Sequence, residues 1–334
     1  MTNDTMRAVL CEKWCDYDDL ILTEMSRPAL QAGHARIAVR YAGVSFATTL
    51  VVAGKYQRKP PLPFAPGTEI AGEVIEVAQG VTRCKAGDIV FGAIDWGGYA
   101  EEAVVPAVNL YALGADLNMA AAIGLAISYP TSYGGLVWRA NIQGGEWLLV
   151  HGAAGGVGLA AVEIGVALGA KVIGVASSAE KRAVVEGRGA TAIDGDDLKT
   201  QVMDVTGGKG IDVVYDPVGG PVARPSISCL KPDGRLVTIG YAGGDIPEIG
   251  FNILLVKNIS VMGFNYGEYV GWGLKDLRDT YAPRVDAAQG QLLAWWREGK
   301  IQPTVHACLP LEKFREAMAE VQNRRAIGRV VLEI

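Results

Sequence analysis

One stretch of the sequence, residues 147–158, constrains the fold more than any other. An apolar run leads into a cluster in which six of the seven residues after His151 are Gly or Ala. Aligned as A-x-G-x-x-G on Ala153, Gly155 and Gly158, these small residues permit a tight turn, close approach of the backbone to a pyrophosphate, and close packing of a helix on a strand. The stretch therefore predicts the strand, loop and helix that begin a dinucleotide-binding sheet.

The chain after about Asp116 alternates helical segments with apolar strands. This alternation is typical of βαβ units, which place their strands side by side in a parallel sheet. The predicted strands are residues 147–152, 171–176, 192–193, 213–215, 235–239 and 260–263, and the predicted helices include 159–168 and 179–187. Six strands of this kind predict an α/β fold with a doubly wound parallel sheet, the Rossmann fold.

The first part of the chain instead has short strands separated by Gly and Pro, which indicates a mostly β domain. The predicted strands are residues 6–10, 35–42, 69–77, 88–91 and 98–105. Residues 59–67 contain four prolines, which remove backbone donors and fix φ, so a rigid surface loop is predicted there. Beyond Gly267 the pattern predicts a long helix, a strand, a helix at 311–322 and a final strand at 329–334. This tail can return to the first domain.

Composition excludes several classes of protein. The 334 residues favour two domains. The net charge of −5 comes from interspersed charges, so no nucleic-acid partner is expected. No apolar stretch fits a membrane span and the start lacks a basic leader, which predicts a cytoplasmic protein. Five scattered cysteines and three separated histidines predict reduced thiols and no structural metal.

The end of the second Rossmann strand favours NADP(H) over NAD(H). In an NAD-selective site, a carboxylate at this position accepts a hydrogen bond from the ribose 2′-hydroxyl. Here the strand ends in Ser177 and Ser178, and Lys181 and Arg182 follow. Hydroxyl groups and a cation suit a 2′-phosphate. The alternative is that Lys181 and Arg182 belong to an ordinary solvated helix face.

Four stretches together resemble the zinc-independent quinone oxidoreductases, the zeta-crystallin branch of the medium-chain dehydrogenase/reductase superfamily. The matching stretches are residues 54–72, 151–158, 216–220 and 258–263. The resemblance implies a GroES-like β-barrel domain formed by residues 1–125 and completed by 267–334, with a Rossmann domain at 126–266. It also implies a small-molecule substrate and a homodimer.

The same resemblance implies a set of site residues. Tyr56 matches a tyrosine that faces the nicotinamide end of the cofactor, and Thr131 matches a threonine beside the nicotinamide. The other implied cofactor contacts are Ala154, Gly155, Gly156 and Val157, with Gly158 of the glycine motif, for the pyrophosphate; Ser177 and Lys181 for the 2′-phosphate; and Val218, Gly219, Gly240, Tyr241, Phe264, Asn265 and Tyr266 for the nicotinamide and its ribose. A purely structural role is the alternative for each position.

Two departures from related sequences concern the substrate site. Zinc-containing relatives have Cys and His where this chain has Ser45 and Thr68, so a catalytic zinc site cannot be assembled around Glu69. Members of the resembled branch commonly have Asn-Phe-x-Asp where this chain has residues 45–48, Ser-Phe-Ala-Thr. Hydroxyl groups thus replace an amide and a carboxylate. Ser45 becomes a pocket candidate, and its alternative is a strand-end serine bonded to backbone.

These observations predict metal-free hydride transfer from NADPH to a quinone or an α,β-unsaturated carbonyl. Tyr56 is the candidate donor of a hydrogen bond or proton to the acceptor oxygen, with Ser45 assisting, and solvent is the alternative proton source. Two other functions stay open. One is an NADPH-binding sensing or structural protein with negligible turnover. The other is an enoyl-CoA-type reductase, for which Arg58 and Lys59 offer a basic entrance.

Overall fold

The computed structural model describes residues 4–334. Within this range fifteen strands follow one another along the chain. They are β1 (Thr5–Leu10), β2 (Ile21–Ser26), β3 (His34–Val44), β4 (Glu69–Val77), β5 (Ile89–Ala93), β6 (Glu102–Pro106), β7 (Leu110–Ala112), β8 (Trp147–Val150), β9 (Lys171–Val175), β10 (Thr191–Ile193), β11 (Ile211–Asp216), β12 (Leu230–Thr238), β13 (Ser260–Gly263), β14 (Val305–Pro310) and β15 (Arg329–Glu333).

Ten α-helices lie in the same described range. They are α1 (Phe46–Val52), α2 (Met119–Ala126), α3 (Ser128–Tyr133), α4 (Gly156–Ala167), α5 (Ala179–Glu186), α6 (Leu198–Thr206), α7 (Ala223–Cys229), α8 (Phe251–Lys257), α9 (Arg278–Arg297) and α10 (Phe314–Gln322). A π-helical segment, Gly134–Arg139, continues directly from α3.

The chain divides into two compact units. The first contains the chain up to Ile127, Gly267–Leu293 and Pro303–Ile334, and the second contains Ser128–Tyr266 and Ala294–Gln302. This division differs from the expected boundaries in the tail, because a short segment of the tail belongs to the second unit.

Two contacts explain why that tail segment packs with the second unit. The backbone N–H of Gln302 donates to the buried carboxylate of Glu163 at 2.9 Å. The ring of Trp295 packs against Tyr133, with 6.0 Å between the ring centroids. A buried carboxylate needs hydrogen-bond donors, and the tail supplies one.

The first unit is a GroES-like β-barrel. Its main sheet has the order β14-β15-β3-β4-β5-β7, with β6 also paired to β3, and β1 and β2 form a separate antiparallel pair. In β3 buried side chains alternate with more exposed ones over most of the strand, which is the pattern of a sheet with one face in the core. The C-terminal strand β15 lies between β14 and β3 and pairs antiparallel with β3, so the end of the chain is part of this sheet.

The second unit is a Rossmann domain. Its sheet has the order β10-β9-β8-β11-β12-β13, and every neighbouring pair is parallel. Strand order reverses between β8 and β11, which is the switch point at which such sheets bind ligands. The central strand β11 is buried along its whole length, as expected of a parallel strand covered by helices on both faces.

Several predicted elements have different boundaries in the structure. Helix α4 begins at Gly156 rather than at residue 159, because the glycine run itself forms the first helical turn. The strand predicted at 98–105 begins at Glu102, since Gly98 and Tyr99 donate hydrogen bonds to the carbonyl groups of Gly67 and Pro66.

The proline-containing segment forms neither helix nor an extended strand, as predicted, but it is not simply a surface loop. Phe64 and Ala65 are buried, and Phe64 belongs to the core of the first unit. The N–H and carbonyl groups of Cys11 pair with those of Phe64. The segment therefore forms part of the interior wall of the barrel domain.

Candidate functional site

The glycine-rich turn follows the carboxyl end of β8. Gly152 has a positive φ of 56°. Gly155 is the N-cap of α4 in an extended conformation. A Cβ atom at Gly158 would collide with the carbonyl oxygen of Gly152, so only glycine allows α4 to approach the turn this closely. The first turn of the 12-residue helix contains no acidic residue. Its unpaired N–H groups therefore offer a site for an anion.

The end of β9 presents hydroxyl and cationic side chains. Ser177 is exposed, and Ser178 caps α5 by accepting a hydrogen bond from the N–H of Lys181 at 3.2 Å. Lys181 lies in the first turn of α5. The guanidinium of Arg182 donates to the carbonyl of Ala176 at 3.1 Å, which ties it to the strand end. Ser177 and Lys181 thus flank one helix N-terminus.

The turn after β11 is organised by a buried carboxylate. Asp216 accepts hydrogen bonds from the N–H groups of Val218 at 2.8 Å and Gly219 at 2.9 Å. The carbonyl of Val218 accepts from the N–H of Gly243 at 2.8 Å. The Val218 N–H is therefore already used, whereas its carbonyl oxygen keeps a second lone pair that a ligand could use.

The ends of β12 and β13 carry the remaining implied positions. Gly240 and Tyr241 follow β12, and Tyr241 is exposed. Phe264 follows β13 and its N–H donates to the carbonyl of Thr238 at 3.1 Å. The side chains of Phe264 and Tyr266 are buried, whereas Asn265 is exposed. The residues that the resemblance implies as cofactor contacts after β8, β9, β11, β12 and β13 thus lie at one edge of the Rossmann sheet.

Thr131 lies in α3. The next residue of that helix, Ser132, connects it by hydrogen bonds to the first turn of α4. The Ser132 hydroxyl donates to the carbonyl of Val157 at 2.7 Å and lies 2.8 Å from the Tyr215 hydroxyl. The Tyr129 hydroxyl donates to Glu163 at 2.6 Å. Sequence reasoning missed these supporting residues, because no local motif marks them.

His151 is a packed residue at the end of β8, as expected. Its Nε2 lies 2.7 Å from the Ser226 hydroxyl oxygen. Burial lowers the pKa of His151, and the negative charge of Asp216 opposes that change. The imidazole is therefore held in its neutral form.

Tyr56 lines a cleft in the first unit, which we call the Tyr56 cleft. Its lining combines apolar and aromatic walls with three hydroxyl groups and one ion pair. The lining residues are Ala47, Thr48, Val51, Tyr56, Arg58, Pro60, Phe64, Pro66, Gly67, Thr68, Asp95, Trp96 and Trp272. Burial raises the pKa of Tyr56, and its hydrogen bond with Gln57 and the charge of Arg58 oppose this. Tyr56 is therefore protonated at neutral pH and can act as a donor.

Ser45 is adjacent to the Tyr56 cleft and is not one of its lining residues. It is the N-cap of α1, where its hydroxyl accepts from the N–H of Thr48 at 3.3 Å. The two hydroxyl oxygens lie 3.0 Å apart. Thr48 is thus the hydroxyl that faces the cleft, and Ser45 orients it.

Thr68 lines the cleft, and the adjacent Glu69 is buried in an ion pair with Arg329. Burial raises the pKa of Glu69, and the charge of Arg329 opposes that shift. Among residues 4–334, no three His, Cys, Asp or Glu side chains are grouped so that they could hold a metal ion. None of the helices in that range has the length and apolar character needed to cross a membrane.

A Rossmann sheet with a glycine-rich turn at its switch point, in one chain with a GroES-like barrel, defines a dinucleotide-binding α/β protein. Two family models match this chain: an alcohol dehydrogenase GroES-like domain over residues 31–115 and a zinc-binding dehydrogenase domain over residues 156–282. The chain belongs to the quinone oxidoreductase branch of the medium-chain dehydrogenase/reductase superfamily, which is a family of oxidoreductases.

Individual relatives cover nearly the whole chain. It is 40% identical over 332 residues to quinone oxidoreductase-like protein 2 homolog of Nematostella vectensis, covering 98% of this chain and 88% of that protein. The structure of Escherichia coli quinone oxidoreductase complexed with NADPH matches with a TM-score of 0.87 at 28% identity, over 99% of this chain and 100% of that one. The Pseudomonas syringae quinone oxidoreductase matches with a TM-score of 0.88 at 28% identity, over 98% and 100% of the two chains.

Proposed function

We propose that this protein is an NADPH-dependent oxidoreductase that transfers hydride to a quinone or an α,β-unsaturated carbonyl without a metal ion. One observation carries the proposal. At the carboxyl edge of the Rossmann sheet, a glycine-rich turn precedes α4, and Ser177 and Lys181 stand where an NAD-selective site has a carboxylate. The similarity to an NADPH-bound quinone oxidoreductase of Escherichia coli supports the same cofactor.

The residues at the sheet edge fit NADP(H). Helix α4 packs so close to the turn that a Cβ atom at Gly158 would collide with the Gly152 carbonyl oxygen. The dinucleotide-binding motif requires this close packing of helix on strand. The free N–H groups at the start of α4 suit the pyrophosphate. The residues that would hold the cofactor are Ala154, Gly155, Gly156, Val157 and Gly158 for the pyrophosphate, Ser177 and Lys181 for the 2′-phosphate, and Tyr56, Thr131, Val218, Gly219, Gly240, Tyr241, Phe264, Asn265 and Tyr266 for the nicotinamide half.

The side chains of the Tyr56 cleft would control charge and proton at the acceptor. NADPH supplies the hydride when it is bound. Tyr56, which stays protonated because burial raises its pKa, donates a hydrogen bond to the acceptor oxygen as negative charge develops there. Thr48 offers a second hydroxyl donor, and Ser45 assists by orienting it. Proton delivery by solvent is the alternative to delivery by Tyr56.

The donor atoms near the cleft argue for metal-free chemistry. Ser45 and Thr68 present neutral hydroxyl groups, which are poor ligands for zinc compared with thiolate and imidazole. Glu69 is already paired with Arg329. We therefore expect dialysis against a strong zinc chelator to leave kcat/KM unchanged within about twofold, which is far less than loss of a catalytic metal would cause.

The experiment that tests the proposal follows absorbance at 340 nm with NADPH and, separately, with NADH. The acceptors are ortho-quinones, enones and an enoyl-CoA. Rapid loss of NADPH with a quinone or enone is expected. No loss with any acceptor, despite tight NADPH binding, would favour the sensing or structural role. Exclusive use of the enoyl-CoA would favour the thioester reductase, and a preference for NADH would contradict the cofactor assignment.

We also propose a homodimer formed through α8 and the edge strand β13. In the described part of the chain β13 pairs only with β12. Phe251, Leu255 and Val256 of α8 are exposed by more than three quarters of their surface. An exposed apolar face beside an open sheet edge suits a second copy of the chain. Sedimentation should show a dimer that Phe251→Glu converts to a monomer, whereas Leu274→Glu, at a leucine of the first unit that is even more exposed, should leave the dimer intact.

A cytoplasmic location is proposed on the state of the thiols. Cys11, Cys15, Cys84, Cys229 and Cys308 are all free in the structure. Free thiols persist where the compartment is reducing. Fractionation of source cells should recover the protein with cytosolic markers, and recovery in a secreted or organelle fraction would contradict this location.

A further inference from the structure

We propose that the Tyr56 cleft binds a planar aromatic acceptor that carries an anionic substituent such as a carboxylate. Arg58 recognises the anion, and the indole rings of Trp96 and Trp272 recognise the aromatic ring. The inference rests on the proposed function, because it names the substrate class of that same site.

The walls of the cleft favour an aromatic ligand. Phe64, Trp96 and Trp272 line it together with Pro60 and Pro66. Aromatic side chains attract a planar π-system through stacking as well as through burial of apolar area. An aliphatic chain gains only the burial. The cleft should therefore bind an aromatic acid more tightly than an aliphatic acid of similar hydrophobicity.

Arg58 is held in place before a ligand binds. Its guanidinium carbon lies 5.1 Å from the centroid of the Trp96 ring and 5.8 Å from that of Trp272. Its Nη2 lies 3.1 Å from the carboxylate of Asp95, and its Nη1 donates to the Asp95 carbonyl at 3.4 Å. A guanidinium fixed on both sides loses little freedom on binding a planar anion.

The charges around Arg58 leave it able to attract an anion. Arg58 and Asp95 are the charged side chains among the cleft-lining residues. The Asp95 carboxylate also accepts from Trp272 Nε1 at 3.1 Å and from Arg278 Nη2 at 3.2 Å. Two guanidinium groups thus share this carboxylate, and the further partner of Arg278, Asp276, is more than half exposed to water. Arg58 has five N–H donors and directs Nη1 and Nη2 at Asp95, so donors remain for a ligand.

The test measures binding of two ligands that cannot be reduced, 2-naphthoate and the neutral 2-naphthamide, to the full-length protein by calorimetry. The naphthoate should bind about tenfold or more tightly, as expected for a charge-assisted pair with arginine. In Arg58→Gln the ratio of the two dissociation constants, naphthamide over naphthoate, should fall to within about twofold of unity. Arg58→Lys should keep part of the preference for naphthoate. Lys59→Gln, which removes an exposed charge at the next residue outside the cleft lining, should keep the full ratio.

Equal affinity for the two ligands in the unchanged protein, no binding of either, or an undiminished ratio in Arg58→Gln would overturn the inference. So would binding of hexanoate as tight as that of 2-naphthoate. The ratio in the unchanged protein decides the matter even if Arg58→Gln does not fold. Discrimination between the ligands without NADPH turnover would support this inference and contradict the proposed function. Turnover of neutral quinones without discrimination between the two ligands would support the proposed function and contradict this inference.

Discussion

The hydroxyl group of Ser132 lies 2.7 Å from the carbonyl oxygen of Val157 and donates a hydrogen bond to it. The same hydroxyl oxygen lies 2.8 Å from that of Tyr215, and both side chains are fully buried. Ser132 therefore connects α3, which carries Thr131, with the first turn of α4 and with the central strand of the Rossmann sheet. Buried hydrogen bonds of Ser132 with the Val157 carbonyl and the Tyr215 hydroxyl thus support the turn that we assign to the pyrophosphate.

Ser132→Ala should lower the free energy of unfolding by about 1–3 kcal/mol, because it leaves the buried hydroxyl group of Tyr215 without its Ser132 partner. NADPH should also bind more weakly. Urea denaturation and NADPH fluorescence titration measure the two effects. The matched control is Ser228→Ala, whose hydroxyl makes an exposed bond to the Arg224 carbonyl. Its effect should stay within about 0.5 kcal/mol, and an equal loss in both variants would contradict the supporting role.

Gly158→Ala should both destabilise the protein, by about 1–3 kcal/mol, and weaken NADPH binding, because the new methyl group collides with the Gly152 carbonyl. Gly290→Ala tests the same substitution in α9, where a Cβ atom meets nothing within 4 Å. That control should be neutral or stabilising by up to about 1 kcal/mol. Unchanged affinity for NADPH in a folded Gly158→Ala protein would contradict the assignment of the turn.

Lys181→Met should raise the Kd for NADPH by about tenfold, since a charge-assisted bond to the 2′-phosphate is lost, and should leave the Kd for NADH unchanged. Fluorescence titration with both nucleotides measures the selectivity. Lys199→Met, at an exposed position on α6, serves as the control for loss of one positive charge. A similar change for both nucleotides would show that Lys181 does not read the 2′-phosphate.

Tyr56→Phe should lower kcat/KM by about a hundredfold or more if Tyr56 supplies the proton, and should leave the Kd for NADPH within about twofold. Because burial raises the pKa of Tyr56, its ionisation should not reduce the rate of the unchanged protein between pH 7 and 9. Tyr41→Phe, a partly exposed tyrosine of the same unit, is the control. A Tyr56→Phe enzyme with kcat/KM within twofold of the original would transfer the role to solvent.

His151→Gln should remove one source of acid destabilisation. Burial lowers the folded-state pKa of His151 below its unfolded value of about 6.5, so the unfolded chain binds a proton that the folded protein does not. His151 therefore does not lower the free energy of unfolding above about pH 6.5, and it lowers that free energy progressively as the pH falls below this value. Glu69 and Glu163, whose pKa values are raised by burial, act in the opposite direction. The comparison of urea stability for the two proteins between pH 5 and 8 isolates His151, and parallel curves would contradict this effect.

The sequence predicts the backbone of the nucleotide site better than its supporting side chains. The glycine-rich turn is a local pattern, and the ends of β8 and β9 fall within two residues of their predicted positions. Ser132 and Tyr215 lie 83 residues apart, and Trp272 and Asp95 lie 177 apart. Contacts of this kind depend on tertiary structure and have no periodic signal.

Strand β12 begins with an irregular stretch that the sequence predicts as a turn. Residues 231–234, Lys-Pro-Asp-Gly, are typical of a turn, and the sequence predicts that the strand begins at Arg235. In the structure β12 begins at Leu230, which pairs with Ile211, and Asp233 has a positive φ of 62°. Between the pairs Leu230–Ile211 and Arg235–Val213, residues 231–234 have no register partner in β11. These turn-forming residues therefore keep their local conformation as a bulge, and regular pairing with β11 resumes at Arg235.

Hydride transfer from NADPH to the acceptor can be followed in a single-turnover reaction with NADPH deuterated at C4. An enone acceptor is used so that the transferred atom stays on carbon, and mass spectrometry follows its fate. We expect deuterium at the β-carbon of the product from one of the two C4 epimers, and slower transfer from that epimer. A reduced product without deuterium from either epimer would contradict hydride transfer by this protein.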